Sequence, residues 1–226
     1  MPSSVDVLIE TGSKRTFASA AAWPGWARGA RDEEEALDAL FVYGSRFASA
    51  IEGTGVRFSS PPRPGSLDVV ERVPGNATTD FGAPDAAFET DAAAIPASSW
   101  HRQRKVLEAC WAAFDRAVIA GEGVELRKGP RGGGRELDAI VAHVVDAEVS
   151  YMRTLTGSGV RLDDDRWTSR GRERDAVLEG LDRARAGDLP SRGPRGGERW
   201  APRRFLRRAA WHVLDHAWEI EDRAGG

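Results

Sequence analysis

From residue 98 onward the chain is written almost entirely in the period of a helix. Four stretches carry apolar residues three and four positions apart, and runs of Gly, Pro and charged residues separate them. A stripe of that kind must be covered, and four such helices with polar connections are satisfied by packing as a four-helix bundle. The first stretch, SSWHRQRKVLEACWAAFDRAVIAG, takes Ser98 or Ser99 as its cap and aligns Val106, Leu107, Cys110, Phe114 and Ala117. The second, GGRELDAIVAHVVDAEVSYMRTL, aligns Leu137, Ile140, Val141, Val144, Met152 and Leu155. The third, SRGRERDAVLEGLDRARAG, is shorter and more charged. The fourth, PRRFLRRAAWHVLDHAWEIEDR, opens on Pro202, a residue suited to a first helical turn.

The first half has another texture, rich in Pro, Gly and small residues. VDVLIE (5–10) alternates as a strand, and RTFASAAAW (15–23) reads as a second, weaker one ended by the Pro-Gly turn of WPGW. DEEEALDALFVYGSRFASAI (32–51) reads as one helix, with Asp32 at its start and the Glu run at the positive end of the helix dipole. Leu37, Leu40, Phe41, Phe47 and Ile51 recur there at helical spacing. GTGVRFSSPPRPGS is a loop, LDVVERV (67–73) a third strand, and residues 74–99 a linker without a clear element. The expected architecture is an α+β N-terminal domain, a small β-sheet with one helix and a linker, over residues 1–97. An all-α four-helix bundle follows over residues 98–226.

Charge and composition narrow the function classes. A formal net charge of −3 gives no footprint for general nucleic-acid binding. The lone Cys110 excludes an internal disulfide and fits a reducing compartment, and its place in an apolar stripe marks it as structural. No signal-like or membrane-spanning apolar run occurs, so a cytoplasmic protein without membrane contact is expected. The clusters GPRGGG and GPRGG lack the preceding strand and following Lys-Ser/Thr of a phosphate-binding loop.

The chemistry concentrates on histidine. His212 and His216 are four residues apart, so they project from one side of the fourth helix. They share the face of Phe205, Ala209, Val213 and Ile220, near its border, with Glu219 just beyond. His143 lies at the edge of the second helix's stripe, beside Ile140 and Ala147. Three imidazoles from two helices can hold a divalent metal and leave a coordination position open. The competing reading of each is a hydrogen-bonded core histidine. His101, in WHRQRK, reads as a surface residue. Asp146 and Glu148 near His143, and Asp215 and Glu219 near the pair, are candidates to orient the imidazoles. Glu219 is the best placed of them, its alternative being a solvated charge. The basic run Arg203–Arg208 reads as a solvated face or a set of ion pairs, with an anion site as the other reading. Trp211, Leu214 and Trp218 occupy the opposite side of the fourth helix, a surface for the N-terminal half or, alternatively, for a second subunit.

With AIVAHVVDAEVSYM on the second helix and WHVLDHAWEIED on the fourth, residues 100–223 resemble the DinB-like superfamily of four-helix bundle proteins. The resemblance implies one metal-binding His on the second helix and an HxxxH pair on the fourth, here His143, His212 and His216. It implies zinc or nickel, frequent homodimers, and S-transferase, isomerase or hydrolase-like chemistry on a small-molecule substrate, as in bacillithiol- and mycothiol-dependent enzymes. The first half, residues 1–97, is similar to the HicB-like fold on VDVLIE and AAAWPGWARGARDEEEALDAL. WPGW stands where that family carries a Leu-Pro-Gly-Cys type turn, and no DNA-binding segment follows, so the similarity implies the fold alone. Two functions stay open: a metal-dependent thiol S-transferase or hydrolase-like enzyme, and a non-catalytic metal-stabilised binding or interaction module.

Overall fold

The structure, a computed structural model, describes residues 4–128, 134–193 and 196–225. A small four-stranded sheet comes first and helices follow. The strands are β1 (Val5–Thr11), β2 (Thr16–Ala20), β3 (Ala27–Ala30) and β4 (Leu67–Pro74), in the order β3-β2-β1-β4. β1 pairs antiparallel with β2, setting Val7 opposite Ala20 and Ile9 opposite Ala18, and parallel with β4, with a register shift between Val7 and Leu8. Val7, Leu8, Ile9 and Glu10 are all buried, as a central strand covered on both faces requires. Glu10 is accommodated there by accepting from the Thr79 hydroxyl and from the Asp85 N–H at 3.0 Å.

β3 departs from the sequence reading, in which WPGW ends the β structure. The chain instead turns at WPGW and returns beside β2. Gly25, at φ +92°, supplies a backbone conformation that side-chain-bearing residues rarely adopt. ARGA has no β-branched or aromatic residue to announce a strand.

The single helix expected over 32–51 is two, α1 (Glu33–Val42) and α2 (Gly44–Ala50). Asp32 caps α1 by accepting from the Glu35 N–H at 3.0 Å. The break falls where Gly44 packs against Trp26, whose ring lies only 3.3 Å from where a Cβ on residue 44 would sit. Trp26 donates its indole N–H to the Leu40 carbonyl at 2.8 Å and stacks on Phe47, with Trp23 and Phe58 set edge-on around them.

Residues 74–99 are more than a linker. They hold α3 (Ala77–Phe81), capped reciprocally by Asn76 and Thr79, and a short 3-10 turn at Glu89–Ala92. Thr79, Phe88, Asp91 and Ile95 are buried. Polar anchors hold this stretch rather than an apolar period, which is why its sequence shows no pattern.

Four long helices complete the chain: α4 (Ala97–Gly121), α5 (Leu137–Thr156), α6 (Arg166–Ala186) and α7 (Pro202–Ala224). α4 begins before the serines expected to cap it, and the Ser99 and Trp100 N–H groups donate to the Pro96 carbonyl. α6 begins before Ser169, because Asp165 accepts from the Trp167 N–H at 2.9 Å and starts the helix inside what reads as an acidic loop. Pro202 occupies the first turn of α7. Of GPRGGG, residues 129–133 lie outside the described residues, as do 194–195 of GPRGG. No helix among the described residues is long and apolar enough to cross a membrane.

The chain divides into two compact units, and the division falls within α4 and α7. The first contains residues 1–110 and 206–212, so it includes the sheet, α1 to α3 and the opening of α4. Trp211 meets Phe17 of β2 edge to face within it, at 5.8 Å. The second contains residues 111–205 and 213–226. Its core includes Phe114, Ile140, Val144, Leu155, Val177, Leu181 and Ile220, all buried.

Candidate metal centre

The stripe of α5 fixes where His143 can lie. Ile140 and Val144 are fully enclosed, so the intervening turn carries His143 at the margin of the buried face. On α7, Ala209, Val213 and Ala217 are buried, and His212 and His216 flank that row one turn apart. His212 is 5% exposed and His216 is half-buried. The rings of His143 and His216 meet edge to face, with centroids 4.9 Å apart and planes at 84°. One ring nitrogen each from His143, His212 and His216 lies within 4.8 Å of the other two. Three imidazole nitrogens that converge in this way lie close enough to bind a metal ion.

Glu219 supplies orientation. It stands one turn beyond His216, and its Oε2 lies 2.7 Å from His216 Nδ1. An ionised carboxylate only accepts, so Nδ1 donates to Glu219, and in the neutral ring this leaves the lone pair on Nε2. The hydrogen bond from His216 is the largest influence holding the Glu219 carboxyl below its ordinary range. Arg223 adds to it, donating to Glu219 Oε1 at 2.9 Å. Arg223 also donates to the carbonyls of Arg127 and Arg135, both at 2.8 Å, which anchors the end of α7. A carboxylate behind a ligating imidazole raises its basicity and fixes its tautomer. Glu219→Gln, which keeps the shape and removes the charge, is expected to weaken metal binding about 10–100-fold. Competition against a chelating dye measures that loss, and an unchanged circular dichroism spectrum separates it from unfolding.

The other candidates have other duties. Asp146 pairs with Arg166 at 2.7 Å. Glu148 accepts from Trp111 on α4. Asp215 is half-buried on α7, His101 is exposed and Cys110 is buried. In the basic run, Arg207 and Arg208 are buried. Arg207 pairs with Asp91 at 2.6 Å, which makes that part of the run an internal ion pair.

A buried acidic cluster was not among the expected features. Glu148 on α5 and Glu173 on α6 are 1% and 0% exposed. Their signal lies in the helical period: Glu148 stands four residues from both Val144 and Met152, and Glu173 four from Val177, all of them buried. No protein-family model, curated protein or solved structure matches this chain.

Proposed function

We propose that α4 to α7 form a four-helix bundle that holds a divalent metal, zinc or nickel, on His143, His212 and His216, as in DinB-like proteins. The observation that carries this reading is the convergence of the three imidazole nitrogens within 4.8 Å. Links between the helices support the bundle. Trp111 joins α4 to Glu148 on α5. Asp115 of α4 binds Arg174 of α6 through two contacts of 2.8 Å, and Gly121 of α4 lies against Ile220 of α7. For residues 1–97 we infer a HicB-like fold.

The best-supported activity is that of a metal-dependent thiol S-transferase or hydrolase-like enzyme with a small-molecule substrate. Three nitrogen donors leave a coordination position in which a bound metal lowers the pKa of a water or thiol toward neutrality. Glu219 then serves as a positioning residue. The second reading, a non-catalytic metal-stabilised module, is favoured by one observation: Glu219, the carboxylate beside the triad, is already engaged by His216 and Arg223.

Cobalt(II) titration tests the proposal. The wild type is expected to develop the intense visible bands of a low-coordinate nitrogen site, and H143A is expected to lack them. Added low-molecular-weight thiol is expected to produce a thiolate-to-cobalt charge-transfer band. Cobalt binding without any response to thiol favours the module, and identical cobalt spectra for wild type and H143A contradict the metal site.

A further inference from the structure

The second unit buries two carboxyl groups that the metal centre does not use. Glu148 of α5 accepts from the Trp111 indole N–H at 2.5 Å. Glu173 of α6 has neither carboxylate oxygen hydrogen-bonded, although the residue is 0% exposed. An ionised carboxylate in that position would lack both water and donors, a state proteins avoid by neutralising the group. The charged groups set against the pair offset it only in part. From α4 comes Asp115, and from α6 comes Arg174, whose guanidinium is spent on Asp115 through two 2.8 Å contacts that Arg170 reinforces.

We propose that Glu148 and Glu173 form a proton-binding site inside the second unit, a carboxyl pair that keeps a proton at neutral pH and releases it to solvent in alkaline solution. A proton on either carboxyl group turns an acceptor into a donor and leaves a single negative charge, which the Trp111 N–H and the Arg174 guanidinium partly offset. Burial pushes the Glu148 carboxyl up to about 7. Burial, then the Glu148 charge, holds Glu173 well above the ordinary range. A metal ion is the poorer occupant. Among the described residues the group of three ligands at metal spacing is His143, His212 and His216, and neither glutamate belongs to it.

The consequence is a pH-dependent element independent of the metal reading. A carboxyl whose folded pKa is raised above its unfolded value stabilises the fold fully at acidic pH. That stability is lost as pH climbs from the unfolded carboxylate range, near 4.5, through about 7 and beyond. Each proton released lowers the folding equilibrium constant by about tenfold per pH unit across that window.

Two measurements on the full chain test the proposal. Infrared spectroscopy of the wild type at pH 6 is expected to show a protonated-carboxyl C=O band that disappears in alkaline solution and is weakened in both E148Q and E173Q. Urea unfolding from pH 5 to 9 is expected to show a steeper loss of stability in wild type than in E148Q and E173Q. Every other side chain is shared by all three proteins, so the difference isolates the pair. Absence of the band in wild type overturns the proposal, as does an unchanged pH slope in both variants. A band that emerges only after treatment with a chelator assigns the pair to a metal ion and also overturns it. Should the glutamine variants fail to fold, the wild-type band decides.

Discussion

Replacing His216 by alanine is expected to weaken divalent-metal binding by more than about a hundredfold, beyond the 10–100-fold typical of losing an outer carboxylate. The substitution removes a nitrogen from the group of three and leaves Glu219 without the donor that His216 supplies. His212→Ala and His143→Ala are expected to match it, because two nitrogens cannot complete a tetrahedral site with one open position. The His216 side chain is 12% exposed, so its truncation is also expected to cost the metal-free protein some stability, which is measured separately from the affinity. Calorimetric or dye-competition titration with zinc gives the affinity, and urea unfolding in the presence of chelator gives the stability.

The largest effect on folding is expected from Asp91→Ala. Arg207 and Asp91 are each only 7% exposed, and Arg207 Nη2 reaches Asp91 Oδ2 at 2.6 Å and the Ala86 carbonyl at 3.1 Å. Asp91 also accepts from the Phe88 N–H at 3.0 Å, and the guanidinium lies 4.6 Å from the Phe88 ring. Truncating Asp91 leaves a buried cation and a buried N–H without their acceptor, a cost of about 3–5 kcal/mol. Replacing both partners by apolar residues of similar volume, Asp91→Leu with Arg207→Met, is expected to recover much of that loss, since the buried charge is then gone. Urea midpoints of the two single variants and the double variant measure this, and a double variant no more stable than Asp91→Ala would contradict the ion-pair account.

How much of this was legible in the sequence depends on the interaction involved. The stripes of α4, α5 and α7 show in the 3.6-residue period because each apolar contact repeats it; Ile140, Val144, Phe114 and Ile220 are buried as that period requires. His212, His216 and Glu219 are readable together because all three belong to one helix, where spacing is geometry. The approach of His143 to His216 is tertiary, and only the pattern of stripes hints at it. β3 and α3 are invisible for the opposite reason. ARGA and ATTDF carry no apolar period, and their places are fixed by pairing to β2 and by the Asn76–Thr79 cap. The Arg207–Asp91 pair joins residues 116 positions apart, beyond the reach of any local rule. Glu173 shows the same limit, since α6 is too charged for one glutamate on its buried side to stand out.

His143, His212 and His216 are proposed to hold a metal. Elemental analysis of the full chain, purified without chelator and compared with H212A and H143A prepared in parallel, tests this most directly. About one zinc or nickel ion per wild-type chain, with almost none in either variant, is the predicted result. Wild type and variants carrying the same metal content, or equally little, would contradict it.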